Sequence, residues 1–185
     1  MTIKEIGGYS AKRISAQELN EENYIGVDNL LQNKQGRTSS NYVPKIGNYT
    51  KYEIGNILIG NIRPYLKKIW FATNEGGTSG DVLVIQISEN NTQRIIPKYL
   101  YYHLSSDDFF NFNIQYAKGA KMPRGNKNKI IDYKIPIPPL EEQERIVSIL
   151  DKFDTLVNSI SEGLPKEIEL RQKQYEYYRN KLLSF

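Results

Sequence analysis

The sequence predicts an α+β protein, a globular mixed α/β domain followed by a C-terminal helical arm. Three observations carry this. Short apolar runs broken by turn signals occupy residues 1 to about 135. The segment IPIPPL then puts three prolines into four residues, which removes backbone donors and stiffens the chain. Beyond it, apolar residues recur at spacings of three and four, the mark of one helical face.

In chain order, strand-like runs lie at 24–27, 54–62, 69–72 and 82–87. Between them 33–48 and 73–80, rich in Gly, Ser, Thr and Asn, read as surface loops. Pro97 opens a helix expected over 98–116, with Leu100, Leu104, Phe109 and Phe112 on its buried side. After the prolines, Ile146, Ile149, Leu150, Phe153, Leu156, Val157 and Ile160 form a helical stripe, and Glu141, Glu142 and Glu144 suit the positive end of its dipole. Ser161 to Pro165 interrupts it. A second helix towards Leu183 carries Leu164, Ile168, Tyr175, Tyr178, Leu182 and Phe185, with Arg171 at a position where an apolar residue is expected. The expected division is a domain at 1–139 and an arm at 140–185, broken at 161–165. An arm with so little chain around it must bury its stripe on another helix or on its own domain.

Composition narrows the chemistry. Apolar residues make up 39% and charged residues 25% of 185, a globular balance rather than a disordered one. There is no run of about 18 apolar residues and no secretory layout at the N-terminus, so a cytoplasmic protein is expected. With no cysteine and one histidine, His103, neither disulfides nor thiolate metal sites arise, and neither metal nor cofactor is expected. Residues 1–140 hold 18 Lys and Arg against 12 Asp and Glu, while the remaining 45 hold 7 against 9. The positive field therefore sits on the globular part, as suits a phosphate backbone.

The run from Lys118 to Phe185, with its Pro-Pro-Leu-Glu-Glu-Gln signature at 138–143, and the stretch GNILIGNIRPYLKKIWFA at 55–72 resemble the specificity subunit of type I restriction-modification systems. That resemblance implies a target-recognition domain plus a helical spacer. In the family two such domains face opposite ends of a split DNA site, and their helices pair as an antiparallel coiled coil. One domain and one arm here imply a half subunit that pairs with a second identical or similar half, and a two-fold dimer would read two inverted half-sites. The resemblance also implies that methylation and cleavage belong to separate modification and restriction subunits.

The residues agree that the chain is not an enzyme. An amino-methyltransferase needs Asn or Asp before Pro-Pro and an aromatic, yet the only Pro-Pro follows Ile137 and precedes Leu140. The cluster Gly76-Gly77-Thr78-Ser79-Gly80 lacks phosphate-loop spacing and reads as a flexible loop. Asp107-Asp108 has no nucleophile or base beside it and reads as a solvated face. Tyr99, Tyr101, Tyr102 and His103 have helical spacing, which favours core and surface positions over a stacking platform.

Three clusters are candidates for DNA contact. Arg63, Tyr65, Lys67 and Lys68 lie in a turn suited to phosphates. Lys118, Lys121, Arg124 and Lys127, with Lys129, lie in a Gly- and Pro-punctuated loop expected to grip the backbone, with Met122-Pro123 as a packing anchor. Lys34 and Arg37, with Gln35, Ser39, Ser40, Asn41 and Tyr42, offer the donors and acceptors that read base edges. The competing reading is a protein-interaction module that assembles through Ile168, Tyr175, Tyr178 and Leu182 without reading DNA.

Overall fold

The computed structural model describes residues 1–154 and 173–174. The chain divides into two units, Met1–Glu144 and Arg145–Phe185, and the sheets belong to the first. Two four-stranded sheets build it. The first has the order β1-β8-β5-β6, from Gly7–Tyr9 (β1), Val82–Ile87 (β8), Ile57–Gly60 (β5) and Ile69–Phe71 (β6), all antiparallel. The second has the order β2-β4-β7-β3, from Arg13–Ser15 (β2), Asn48–Tyr52 (β4), Gly76–Thr78 (β7) and Tyr24–Ile25 (β3), with only the β3–β7 pair parallel. Helices before the proline segment are α1 (Ile3–Ile6), α2 (Pro97–Leu104), α3 (Asp107–Gln115) and α4 (Lys127–Ile131).

Three of the four expected strand runs contain shorter strands, and 82–87 matches β8 end to end. The glycine cluster is a correction. Gly76 and Gly77 form β7, a buried strand between β4 and β3. A Cβ on Gly76 would collide with the Asn23 carbonyl, and one on Gly77 would lie 2.8 Å from Ile14 Cγ2. These glycines serve close approach, not flexibility.

The helix expected over 98–116 is two helices. Ser106 has extended backbone, and its hydroxyl accepts from the Phe109 amide at 3.2 Å, capping α3 and ending the path from α2. The core gathers Leu100, Leu104 and Phe109 as expected, together with Phe110, all at most 1% exposed, whereas Phe112, also expected on the buried side, is half-buried. Tyr99 is buried and donates its hydroxyl to the Pro136 carbonyl at 3.0 Å, and Tyr101 meets Phe71 edge-on, so these rings are used in packing. Burial pushes the pKa of the His103 imidazole down, and its ring packs edge-on against Tyr99.

The proline segment closes the domain. Before it, the Ile135 amide donates to the Met1 carbonyl at 2.7 Å and the Ile3 amide to Tyr133 at 3.1 Å, an edge pairing that prolines could not make. A helix follows over 140–154. Gln143 in its first turn is fully buried. Its Oε1 accepts from the Ile96 amide at 3.0 Å, and its Nε2 donates to the Arg94 and Pro138 carbonyls, both at 2.8 Å. The break at 161–165 and the stripe of Ile168, Tyr175, Tyr178 and Leu182 lie outside the described residues.

Candidate functional site

The three basic clusters, far apart in sequence, converge on one turn. Pro64–Leu66 forms a single 3-10 turn, with Arg63 and Lys67 at its two ends. The loop at 33–34 docks there, since the Asn33 and Lys34 amides donate to the Leu66 and Lys67 carbonyls, both at 2.9 Å. The third cluster arrives from the other side. Lys118 and Arg124 pair through both amides to close a hairpin, and the Arg63 amide donates to the Pro123 carbonyl at 2.7 Å. The expected loop is thus a hairpin followed by α4, whose start is capped by the Asn126 side chain on the Asn128 and Lys129 amides.

Backbone strain collects at the same place. Asn33, Lys34, Arg63 and Lys67 are the four non-glycine residues with left-handed φ among the described residues, and all four stand at this junction. Such conformations each cost on the order of 1–3 kcal/mol and persist where surrounding contacts impose them, commonly at functional sites.

Beside the junction opens a cleft of about 720 Å³, walled by residues 26–29 and 38–42 and by Ile62, Arg63, Leu66 and Lys68, with Tyr24, Ser79, Asp81 and Met122 completing it. Asn29 ties two walls together, accepting from the Gly26 amide at 2.6 Å and donating to the Thr38 carbonyl at 3.0 Å. Tyr42 is 71% exposed at the rim, and Ser40 donates to its carbonyl at 2.7 Å. Met122, expected as an anchor, is instead half-exposed in the lining.

The candidate cations fall into distinct states. Lys68 must leave the contact set. It is 8% exposed, its ammonium donates to the Val27 carbonyl at 2.6 Å, and burial lowers its pKa. It shapes the cleft from within and cannot reach a phosphate. Arg37 is held over the Trp70 ring at 5.0 Å and pairs with Glu22 at 3.4 Å, so it braces the loop. Arg124 pairs with Asp81 at 3.0 Å. Lys129 lies 5.4 Å over the Tyr116 ring. Arg63, Lys118, Lys121 and Lys127 are exposed and have no side-chain partner among the described residues, and Tyr65 stands beside them 50% exposed.

Asp107, expected on a solvated face, is 63% exposed and is also an ion-pair partner at the junction. One carboxylate oxygen accepts from both Lys67 and Lys34, each at 2.9 Å. These two hydrogen bonds hold its carboxyl down to about 2. A carboxyl-detected NMR titration is expected to show that low midpoint. Because the folded pKa is depressed, the pairing supports the fold above about pH 4 and is lost as pH falls towards 2. A midpoint near 4 would mean that neither lysine holds Asp107.

Sequence reasoning also missed the support beneath the hairpin. Asn61 and Asn113 are buried, and the Gly125 amide donates to the Asn61 carbonyl at 3.1 Å. A Cβ on Gly125 would strike Asn113 Oδ1 and lie 2.8 Å from Asn61 Oδ1. Gly125→Ala is therefore expected to destabilise the domain by roughly 1–3 kcal/mol through overpacking, read as a lowered denaturation midpoint. An unchanged midpoint would show that the hairpin seats differently. Gly125 between Arg124 and Lys127 was the available signal, but its meaning depends on Asn61 and Asn113.

Solved structures place the fold in a class. The HsdS subunit from Thermoanaerobacter tengcongensis matches 99% of this chain and 46% of its own, with TM-score 0.64 and 22% identity. A chain from a type I R-M system matches with TM-score 0.63 and 21% identity. The family model described as type I restriction modification DNA specificity domain matches residues 1–170, so the chain belongs to that family. A type I specificity-subunit relative from Haemophilus influenzae is 33% identical over 98% of this chain and 52% of its own length. The EcoR124I/EcoR124II specificity subunit of Escherichia coli is 50% identical over 93 residues, 50% of this chain and 23% of that one. The chain spans about half the length, or less, of these relatives.

Among the described residues no three His, Cys, Asp or Glu side chains group as a metal site, and no helix is long and apolar enough to cross a membrane.

Proposed function

We propose that the chain is the DNA-recognition half of a cytoplasmic type I restriction-modification assembly, reading one half-site of a double-stranded target and catalysing nothing itself. The observation that carries this is the convergence of three basic segments on one strained turn beside an open cleft. Arg63, Lys118, Lys121 and Lys127 meet phosphates, with Tyr65 beside them, because they are exposed and unpaired. Asn41 and Tyr42 at the cleft rim present donors and acceptors for base edges. The domain at 1–139 reads DNA. The arm at 140–185 pairs antiparallel with a second identical or similar half through Ile168, Tyr175, Tyr178 and Leu182, and the paired arms receive the modification subunit, with the restriction subunit joining through the complex.

Selection from a random duplex library, followed by a salt series on the selected and unselected DNA, tests this reading. Expected are one preferred bipartite site and affinity falling linearly on a log–log plot against salt. A chain that enriches no sequence and binds DNA without salt dependence, yet still assembles through its arm, would be an interaction module instead. Light scattering supplies the second test, since truncation at Gly163 is expected to convert a dimer into a monomer.

A further inference from the structure

We propose that Asp107 acts as a charge brake on the recognition surface, restraining Lys34 and Lys67 so that they add little to sequence-independent DNA affinity. The inference rests on the DNA-binding reading above. The contrast lies within one turn. Arg63 and Lys67 bracket Pro64–Leu66, and Arg63 is unpaired whereas Lys67 is held. Lys34 is brought beside Lys67 by its own amide, which donates to the Lys67 carbonyl, and both residues adopt left-handed backbone. Their ammonium groups meet on a single oxygen of Asp107, 2.9 Å from each, at the first position of α3. The carboxylate side chain is 63% exposed, while the two lysine side chains are 34% and 28% exposed. The carboxylate is thus the most exposed member of the trio, and it occupies a hydrogen-bonding direction of both ammonium groups. Freeing both cations adds up to two phosphate contacts that require no particular base.

The test is Asp107→Asn in the full chain, titrated with a mixed-sequence 30-base-pair duplex at several salt concentrations. The variant is expected to bind roughly three- to thirty-fold more tightly near 0.15 M salt, with a log–log salt slope steeper by about 1 to 2. Adding Lys34→Ala and Lys67→Ala to it is expected to remove the gain. In the parent background those two lysine substitutions should change affinity less than two-fold, a second measurement that does not depend on the Asp107 variant. Unchanged or weaker binding by Asp107→Asn, with its thermal midpoint lowered, would make Asp107 a structural tie and overturn the brake. A large loss from the lysine pair alone would overturn it too. If the parent chain fails to bind any duplex with salt-dependent affinity, the recognition reading falls first and the brake with it.

Discussion

Replacing Lys118, Lys121 and Lys127 together with alanine is expected to weaken binding to any duplex on the order of 100-fold near 0.15 M salt. The magnitude follows from counterion release. Each lost phosphate contact lowers the log–log salt slope by about 0.9, so three lost contacts flatten it by between 2 and 3 units, roughly. The loss should be nearly uniform across sequences, because phosphate contacts position the protein and carry no base information. These three side chains are the suitable probes since they are exposed and none has a partner whose removal would disturb the fold. Arg124 is a poorer probe, because its loss would also strand Asp81 at the cleft wall. If the triple variant kept the parent affinity and slope, the hairpin would face away from DNA.

Gln143→Ala is expected to produce a large loss of stability, by a different mechanism. The carboxamide satisfies three backbone groups at once, the Ile96 amide and the Arg94 and Pro138 carbonyls, and it is fully buried. Removing it leaves these three part-buried backbone groups without that partner, at roughly 2–4 kcal/mol in total. For a domain of this size that corresponds to a melting point lower by about 10 °C. Gln143→Glu tests the hydrogen-bond argument separately, because Oε1 can still accept from Ile96 while the replacement oxygen cannot donate to two carbonyls. It should fall nearly as far as the alanine variant at neutral pH and recover partly as acid protonates the new carboxyl. A shift of only a degree or two in either variant would mean that the first turn of the helix over 140–154 is held by something else.

Gln143 also shows how a motif can be legible before its physics is. The Pro-Pro-Leu-Glu-Glu-Gln signature marks the family, and the acidic residues in it suit a helix start. Nothing in that string says that Gln143 reaches Arg94 and Ile96, almost fifty positions earlier. The same holds for the other surprises. Asp107 resembles any acid in a first helical turn, and only the docking of the 33–34 loop on the 66–67 turn brings both lysines to it. Gly76 and Gly77 resemble a loop because glycine-rich loops and closely packed strands share one composition, and their difference lies in what stands within a few ångströms.

By itself the sequence determined the α+β class, the change of texture at the prolines, the helix that follows them and the family. These are local or pattern properties, since alternation, helical spacing and proline punctuation act within a few residues of themselves. It also located the exposed cations Arg63, Lys118, Lys121, Arg124, Lys127 and Lys129. The tertiary structure alone decided which cations are available. Lys68 is spent inside the cleft, Lys34 and Lys67 are held by Asp107, Arg37 is braced on Trp70, and Arg63, Lys118, Lys121 and Lys127 are left free. A charge can act on a distant polyanion only if no nearer opposite charge or buried acceptor holds it, and which groups are near is settled by the fold.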